Sequence, residues 1–162
     1  MEVLKKWTQY LLEYGADPGE QLCTDDFAGH LSHNVNLSAK AIMGVEAYAR
    51  LAGQLGQEAE AREYHQKAAA MAADWEKRAI CDDHYVLAFG NPDTWSLKYN
   101  LVWDRVWNSG LFSDEVYEKE LAYYVKKTNA YGTPLDSRRS YTKSDWILSV
   151  SYTHLTLPTN SR

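Results

Sequence analysis

No uninterrupted apolar run approaches the ~18 residues a membrane-crossing helix needs, so nothing in this chain reads as a transmembrane helix. Cysteine is scarce. Cys23 and Cys81 allow one disulfide at most and fit no metal-ligand spacing, so they leave the redox compartment open. Basic residues are the minority, 17 against 22 acidic, and the formal charge of −5 leaves no basic face for a nucleic acid. The opening MEVLKKWTQYLLEYG lacks a signal-peptide pattern, because its apolar residues are helically spaced and broken by charge.

What the chain has in excess is aromatic surface, with six Trp and twelve Tyr in 162 residues. Such side chains serve either a large helical core or a cleft that needs an apolar face with a hydrogen-bonding edge. The size suits one domain with a substantial core.

Periodicity predicts helices. Leu4, Trp7, Leu11 and Tyr14 recur at three and four and stop at Gly15. Ser38 is a suitable N-cap for a helix carrying Ala41, Val45, Tyr48, Ala52 and Leu55 and ending at Gly56. Gln57 opens a partner helix with Ala61, Tyr64, Ala68, Met71, Trp75 and Ala79 in register, and the short connection makes the two an antiparallel hairpin. Residues 83–89 read as extended and 94–108 as a deeply buried helix, apolar on nearly all sides. Ser113 is placed to cap a helix that turns Tyr117, Leu121 and Tyr124 inward, and another helix starts at Thr142. The result is all-α, a set of helical hairpins whose polar loops (22–37, 89–95, 129–141) gather at one end if the hairpins form a toroid. The 44–79 pair passes for one tetratricopeptide-type unit, but no second copy follows at that period, which leaves a helical-repeat interaction module as a minor alternative.

The tail differs from everything before it. Val150–Thr159, read back into codons, matches a transposase sequencing adaptor in one frame. Residues 1–148 are therefore expected to form one partial domain, 149–162 an artefactual tail, and His154 no ligand. The natural protein is expected to continue past Leu148.

Chemistry-bearing residues cluster in the loops. Asp25 and Asp26 are a carboxylate pair able to activate water, or else helix-capping residues. His30 and His33 form H-x-x-H without a zincin glutamate, and read as a structural pair with no metal. Lys98, Asn100 and Asp104 lie among aromatics, as a buried Lys98–Asp104 pair or as a cleft wall. Asp136, Arg138, Lys143 and Asp145 crowd a helix start, where Thr142-x-x-Asp145 also fits a capping box. Arg138 is the residue best suited to a bidentate carboxylate contact.

TDDFAGH with HNVNLSAKAI, then TWSLKYNLVWD, then PLDSRRSYTKSDWI, in that order, resembles the C-terminal helical domain of the glutaminase A family. The similarity runs from about Trp7 to Leu148. The resemblance implies an incomplete α/α toroid of antiparallel hairpins. It also implies a β-rich domain preceding it in the parent, a secreted or cell-envelope location, and hydrolysis of glutamine to glutamate and ammonia.

On residue chemistry, Asp25 or Asp26 is expected to activate water, with Asp145 the rival base. Lys98 or Lys143 is expected to stabilise the oxyanion. Arg138 takes the substrate α-carboxylate, Asp136 its ammonium, and Asn34 and Asn100 orient these groups. No cofactor is needed. A carbohydrate-active toroid enzyme with Asp25 or Asp26 and Asp145 as acid and base, and Trp95 or Trp146 stacking on sugar, is the alternative. The fragment by itself is expected to be inactive and poorly soluble.

Overall fold

The computed structural model describes residues 1–23 and 28–154 of the chain. Among them the architecture is all-α. Six helices are accompanied by one two-stranded antiparallel ribbon.

Helix α1 (Glu2–Tyr14) lays Leu4, Leu11 and Leu12 against the core, whereas Trp7 and Tyr14, expected on the same face, are exposed. It ends at Gly15, but for a reason that periodicity does not reveal. Gly15 has φ −78°, not a left-handed cap, and a Cβ there would sit 2.6 Å from the Cβ of Ala41. The glycine is required by close approach to the next helix.

Helix α2 (Val35–Gln54) starts earlier than the Ser38 cap predicts. Asn34 is the N-cap, and its Oδ1 accepts from the Leu37 N–H at 2.8 Å. Ser38 is buried and instead donates to the Ala16 carbonyl at 2.9 Å, tying α2 to the turn after α1. Gly56, with φ +75°, reverses the chain into α3 (Glu58–Ala79), so the expected hairpin is present. Trp75 of α3 is buried, stacks on Tyr85 at 5.2 Å, and donates its indole N–H to the Val35 carbonyl at 2.8 Å. A buried aromatic of this kind contributes about 1.5–3 kcal/mol from apolar burial.

Strands β1 (Ile80–Cys81) and β2 (His84–Tyr85) form a short ribbon after α3. The 94–108 segment is not one buried helix. It is non-helical through 95–98, with a single bridge at Ser96, makes one 3-10 turn at Tyr99–Leu101, and becomes helix α4 only at Val102–Trp107. The cause is tertiary: Leu97 N–H bonds to the Leu135 carbonyl, and the Trp95 carbonyl accepts from Ser137 N–H. The backbone groups a helix would need are already taken. Trp103 and Val106 are consequently exposed.

Helix α5 (Asp114–Lys127) buries Val116, Tyr117, Glu120 and Tyr124, while Leu121, expected inside, is exposed. Ser113 occupies the N-cap position without capping, because its hydroxyl goes to Glu76 at 3.0 Å. Helix α6 (Ser144–His154) also lacks the expected capping box, since the buried Thr142 hydroxyl has no hydrogen-bond partner among the described residues. Two apolar clusters result. The larger joins α1, α2, α3 and parts of α5, and the smaller joins Cys23, Ala28, Trp95, Leu97, Tyr99, Leu135 and Trp146.

Candidate functional site

The three polar loops do meet, at the smaller cluster. The first and second are stitched together around Asn34 and Ala88, through Val35 N–H to the Leu87 carbonyl (3.0 Å) and Phe89 N–H to the His33 carbonyl (2.9 Å). The second and third pair through Ser96 and Asp136, and the third returns to the first through Arg138 Nη2, which donates to the Ala28 carbonyl at 2.8 Å. Between them lies a small cavity of about 10 Å³, whose walls include Asn34, Asn36, Ser96, Tyr99, Asp136 and Arg138. A far larger open groove, about 610 Å³, runs between α1, the following turn and α2. It shares no lining residue with that cavity, and none of the predicted site residues among the described residues lines it, so the small cavity is where the candidate chemistry converges.

Arg138 and Asp136 are partners. Asp136 is buried and uses both oxygens on Arg138, Oδ1 accepting from Nε at 3.0 Å and Oδ2 from Nη2 at 2.7 Å. Asp136 Oδ1 also accepts the Arg138 backbone N–H at 2.9 Å. This corrects the expectation that Asp136 receives a substrate ammonium, because its charge is already paired with the Arg138 guanidinium through both oxygens. The contact, before any other influence, raises the guanidinium pKa further. Arg138 is one-third exposed and its Nη1 carries no hydrogen bond among the described residues.

Lys98 is not an oxyanion donor. It is buried, and Nζ donates to the Tyr85 carbonyl (2.7 Å) and the Ser96 carbonyl (2.8 Å) while pairing with Glu120 Oε2 at 3.3 Å. All three N–H bonds are thereby directed at protein oxygens. Burial pushes its pKa down, and Glu120 opposes that shift. The expected Lys98–Asp104 pair is also replaced: Asp104 accepts from Leu111 N–H at 2.9 Å and from the Tyr117 hydroxyl at 2.7 Å.

The asparagines are structural where they touch protein. Asn34 caps α2 and points Nδ2 at Cys23 Sγ (3.2 Å). Asn100 bonds to Asn36, its N–H to Oδ1 at 3.1 Å and its Nδ2 to the backbone carbonyl at 2.9 Å. Asp145 is exposed in the first turn of α6. Trp146 is buried and stacked on Tyr99 at 4.5 Å, with Lys143 Nζ 4.8 Å from the indole centroid. Neither Trp146 nor Trp95, both buried, offers the open ring face that sugar stacking needs.

His33 Nδ1 lies 2.7 Å from Asp17, and His30 is exposed. Both cysteines are free. Cys23 is buried, which raises its thiol pKa, and Cys81 Sγ points at the Pro92 carbonyl. Asp25 and Asp26 lie outside the described residues, but Cys23 and Ala28 on either side of them belong to the smaller cluster.

Sequence reasoning missed Glu120 and Ser96, and it placed Tyr124 inward without its bond to Glu120. Glu120 sits at helical spacing between the inward Tyr117 and Tyr124, and a carboxylate on such a stripe signals a buried cation partner. Nothing in the sequence singles out Ser96.

Residues 1–159 match the family described as the glutaminase A six helical-hairpin domain. Glutaminase A of Aspergillus oryzae is 37% identical over 150 residues, covering 90% of this chain and 22% of that protein. A probable glutaminase of Arthroderma benhamiae is 29% identical over 171 residues, covering 88% of this chain and 20% of that protein. The chain thus spans about a fifth of the length of the curated relatives it matches. No solved structure matches it.

Proposed function

Because the chain belongs to the glutaminase A six helical-hairpin family, we propose that it is part of an amidohydrolase that converts glutamine to glutamate and ammonia. The observation that carries this reading is the convergence of three loops on Arg138. Its Nε and Nη2 edge is held by Asp136 while Nη1 is left for a ligand. A guanidinium so oriented suits the carboxylate of an amino-acid substrate.

In the proposed reaction a water attacks the side-chain amide carbon, the C–N bond breaks, and the proton taken from water ends on the departing ammonia. Asp25 or Asp26 is the base, supported by the position of their flanking residues Cys23 and Ala28 beside Arg138. Asp145, exposed at the start of α6, is the rival. Lys143 takes the oxyanion role that Lys98 cannot fill. The hairpins form an arc of an α/α toroid in this reading. The parent carries a β-rich domain ahead of them and works outside the cytoplasm.

The test is ammonia release from L-glutamine by the intact protein containing this chain. Asp25→Asn or Asp26→Asn is expected to lower kcat by about 10²–10⁴-fold. Arg138→Ala is expected to act mainly by raising KM. Absence of ammonia from a well-folded intact protein overturns the glutaminase reading. Full activity in both aspartate variants moves the base to Asp145.

A further inference from the structure

Among the described residues, three buried hydroxyls lack a hydrogen-bond partner: Ser96, Ser109 and Thr142. Only Ser96 lines the cavity where the loops meet. It is 2% exposed, and an unpaired hydroxyl at that depth costs free energy unless something else meets it. Its backbone is held firmly. The Ser96 carbonyl accepts from Lys98 Nζ at 2.8 Å and lies 3.2 Å from the Tyr124 hydroxyl oxygen, and Ser96 forms a bridge with Asp136. The buried Lys98–Glu120–Tyr124 network therefore fixes the position of an unused donor.

We propose that Ser96 and Arg138 form a carboxylate subsite, the Ser96 hydroxyl meeting one oxygen and Arg138 Nη1 the other. This rests on the amidohydrolase reading and names the group by which the substrate is held. The chemistry of the two donors selects the ligand. Both offer N–H or O–H, and an ionised carboxylate is acceptor-only. The cavity, about 10 Å³, holds one water-sized atom, which is the size of a single carboxylate oxygen. Asp136 takes no direct part and is a positioning residue, since both its oxygens are occupied by Arg138.

The experiment is calorimetric titration of the intact protein with L-glutamate and with L-isoglutamine, whose α-carboxylate is replaced by an amide. Ser96→Ala is expected to weaken glutamate about tenfold, as for a hydrogen bond to a charged group, and to leave isoglutamine unchanged. Its melting temperature should hold or rise, because the lost hydroxyl had no protein partner. Ser96→Thr, which retains the hydroxyl, should bind glutamate more tightly than Ser96→Ala. Equal weakening of both ligands, or none, overturns the subsite. So does a drop in melting temperature without a change in affinity, which assigns the hydroxyl to a buried water. Absence of glutamate binding by the unaltered protein also overturns it, while the ammonia assay separately decides the reaction.

Discussion

Lys98 is the most constrained charge among the described residues. A lysine with two carbonyls and a carboxylate around it is stable only while all three remain, since an unpaired ammonium in the interior is far costlier than a neutral pair. Tyr124 adds a second contact to Glu120, its hydroxyl donating to Oε2, and Glu120 Oε1 also accepts the Tyr85 backbone N–H at 2.8 Å. Removing one partner should therefore hurt more than removing both. Glu120→Ala is expected to cost about 3–5 kcal/mol, whereas Lys98→Met with Glu120→Leu should fall within a few kcal/mol of the parent. Urea unfolding of the three proteins measures this directly. A Glu120→Ala variant no less stable than the double variant would show that the lysine is not charged in the fold.

At the scale of elements, glycine positions decide how helices approach. The contact between α1 and α2 runs through Gly15, where an added Cβ would meet the Leu11 carbonyl oxygen at 2.5 Å and the Ala41 Cβ at 2.6 Å. Backbone and a short side chain cannot yield, so Gly15→Ala should destabilise by about 1–3 kcal/mol. Gly53, near the end of α2, has only Ala61 at 3.6 Å, an ordinary contact. There the added Cβ reduces the freedom of the unfolded chain, and Gly53→Ala should stabilise by up to about 1 kcal/mol. Opposite shifts in melting temperature are the expected pair of results. Equal shifts would mean that α1 is not docked as described. The helical reading itself survives wherever a segment's backbone bonds stay local, as in α1, α2, α3 and α5. It fails at 95–98, where distant residues 135–137 and the Tyr124 hydroxyl claim the backbone.

For the whole molecule, buried tyrosines set an alkaline limit. Burial, before any neighbouring carboxylate, raises the pKa of Tyr85, Tyr117 and Tyr124 above the ordinary value of 10. A group raised on folding contributes stability that is whole below its unfolded pKa and is lost as pH climbs toward the folded value. Stability should therefore fall from about pH 10 upward. Lys98 works in the opposite sense: its depressed pKa makes burial costly at low pH, and that cost disappears as pH nears the ordinary 10.5. The tyrosines accordingly govern the loss above pH 10. Tyrosinate absorbance tracked beside circular dichroism checks this, and these three residues should ionise only with unfolding. Ionisation of all twelve tyrosines in a protein that keeps its helices would contradict it.

The order of residues, by itself, determined that the protein is helical, that α2 and α3 turn back at Gly56, and that the polar loops carry the candidate chemistry. These follow from periodicity and turn residues, which act between neighbours in the chain. It also placed Arg138 among the residues of interest, because it clusters with Asp136, Lys143 and Asp145 at a helix start and a guanidinium can hold a carboxylate in two places. Only the tertiary structure decided what each polar group is committed to. Asp136 is given to Arg138, Lys98 to Glu120, Asn34 to the start of α2 and Asn100 to Asn36, while the Ser96 hydroxyl is left with no partner among the described residues. Hydrogen-bond capacity is finite, and contacts between residues far apart in sequence determine where it is used. A candidate residue therefore becomes a site only once its other partners are known.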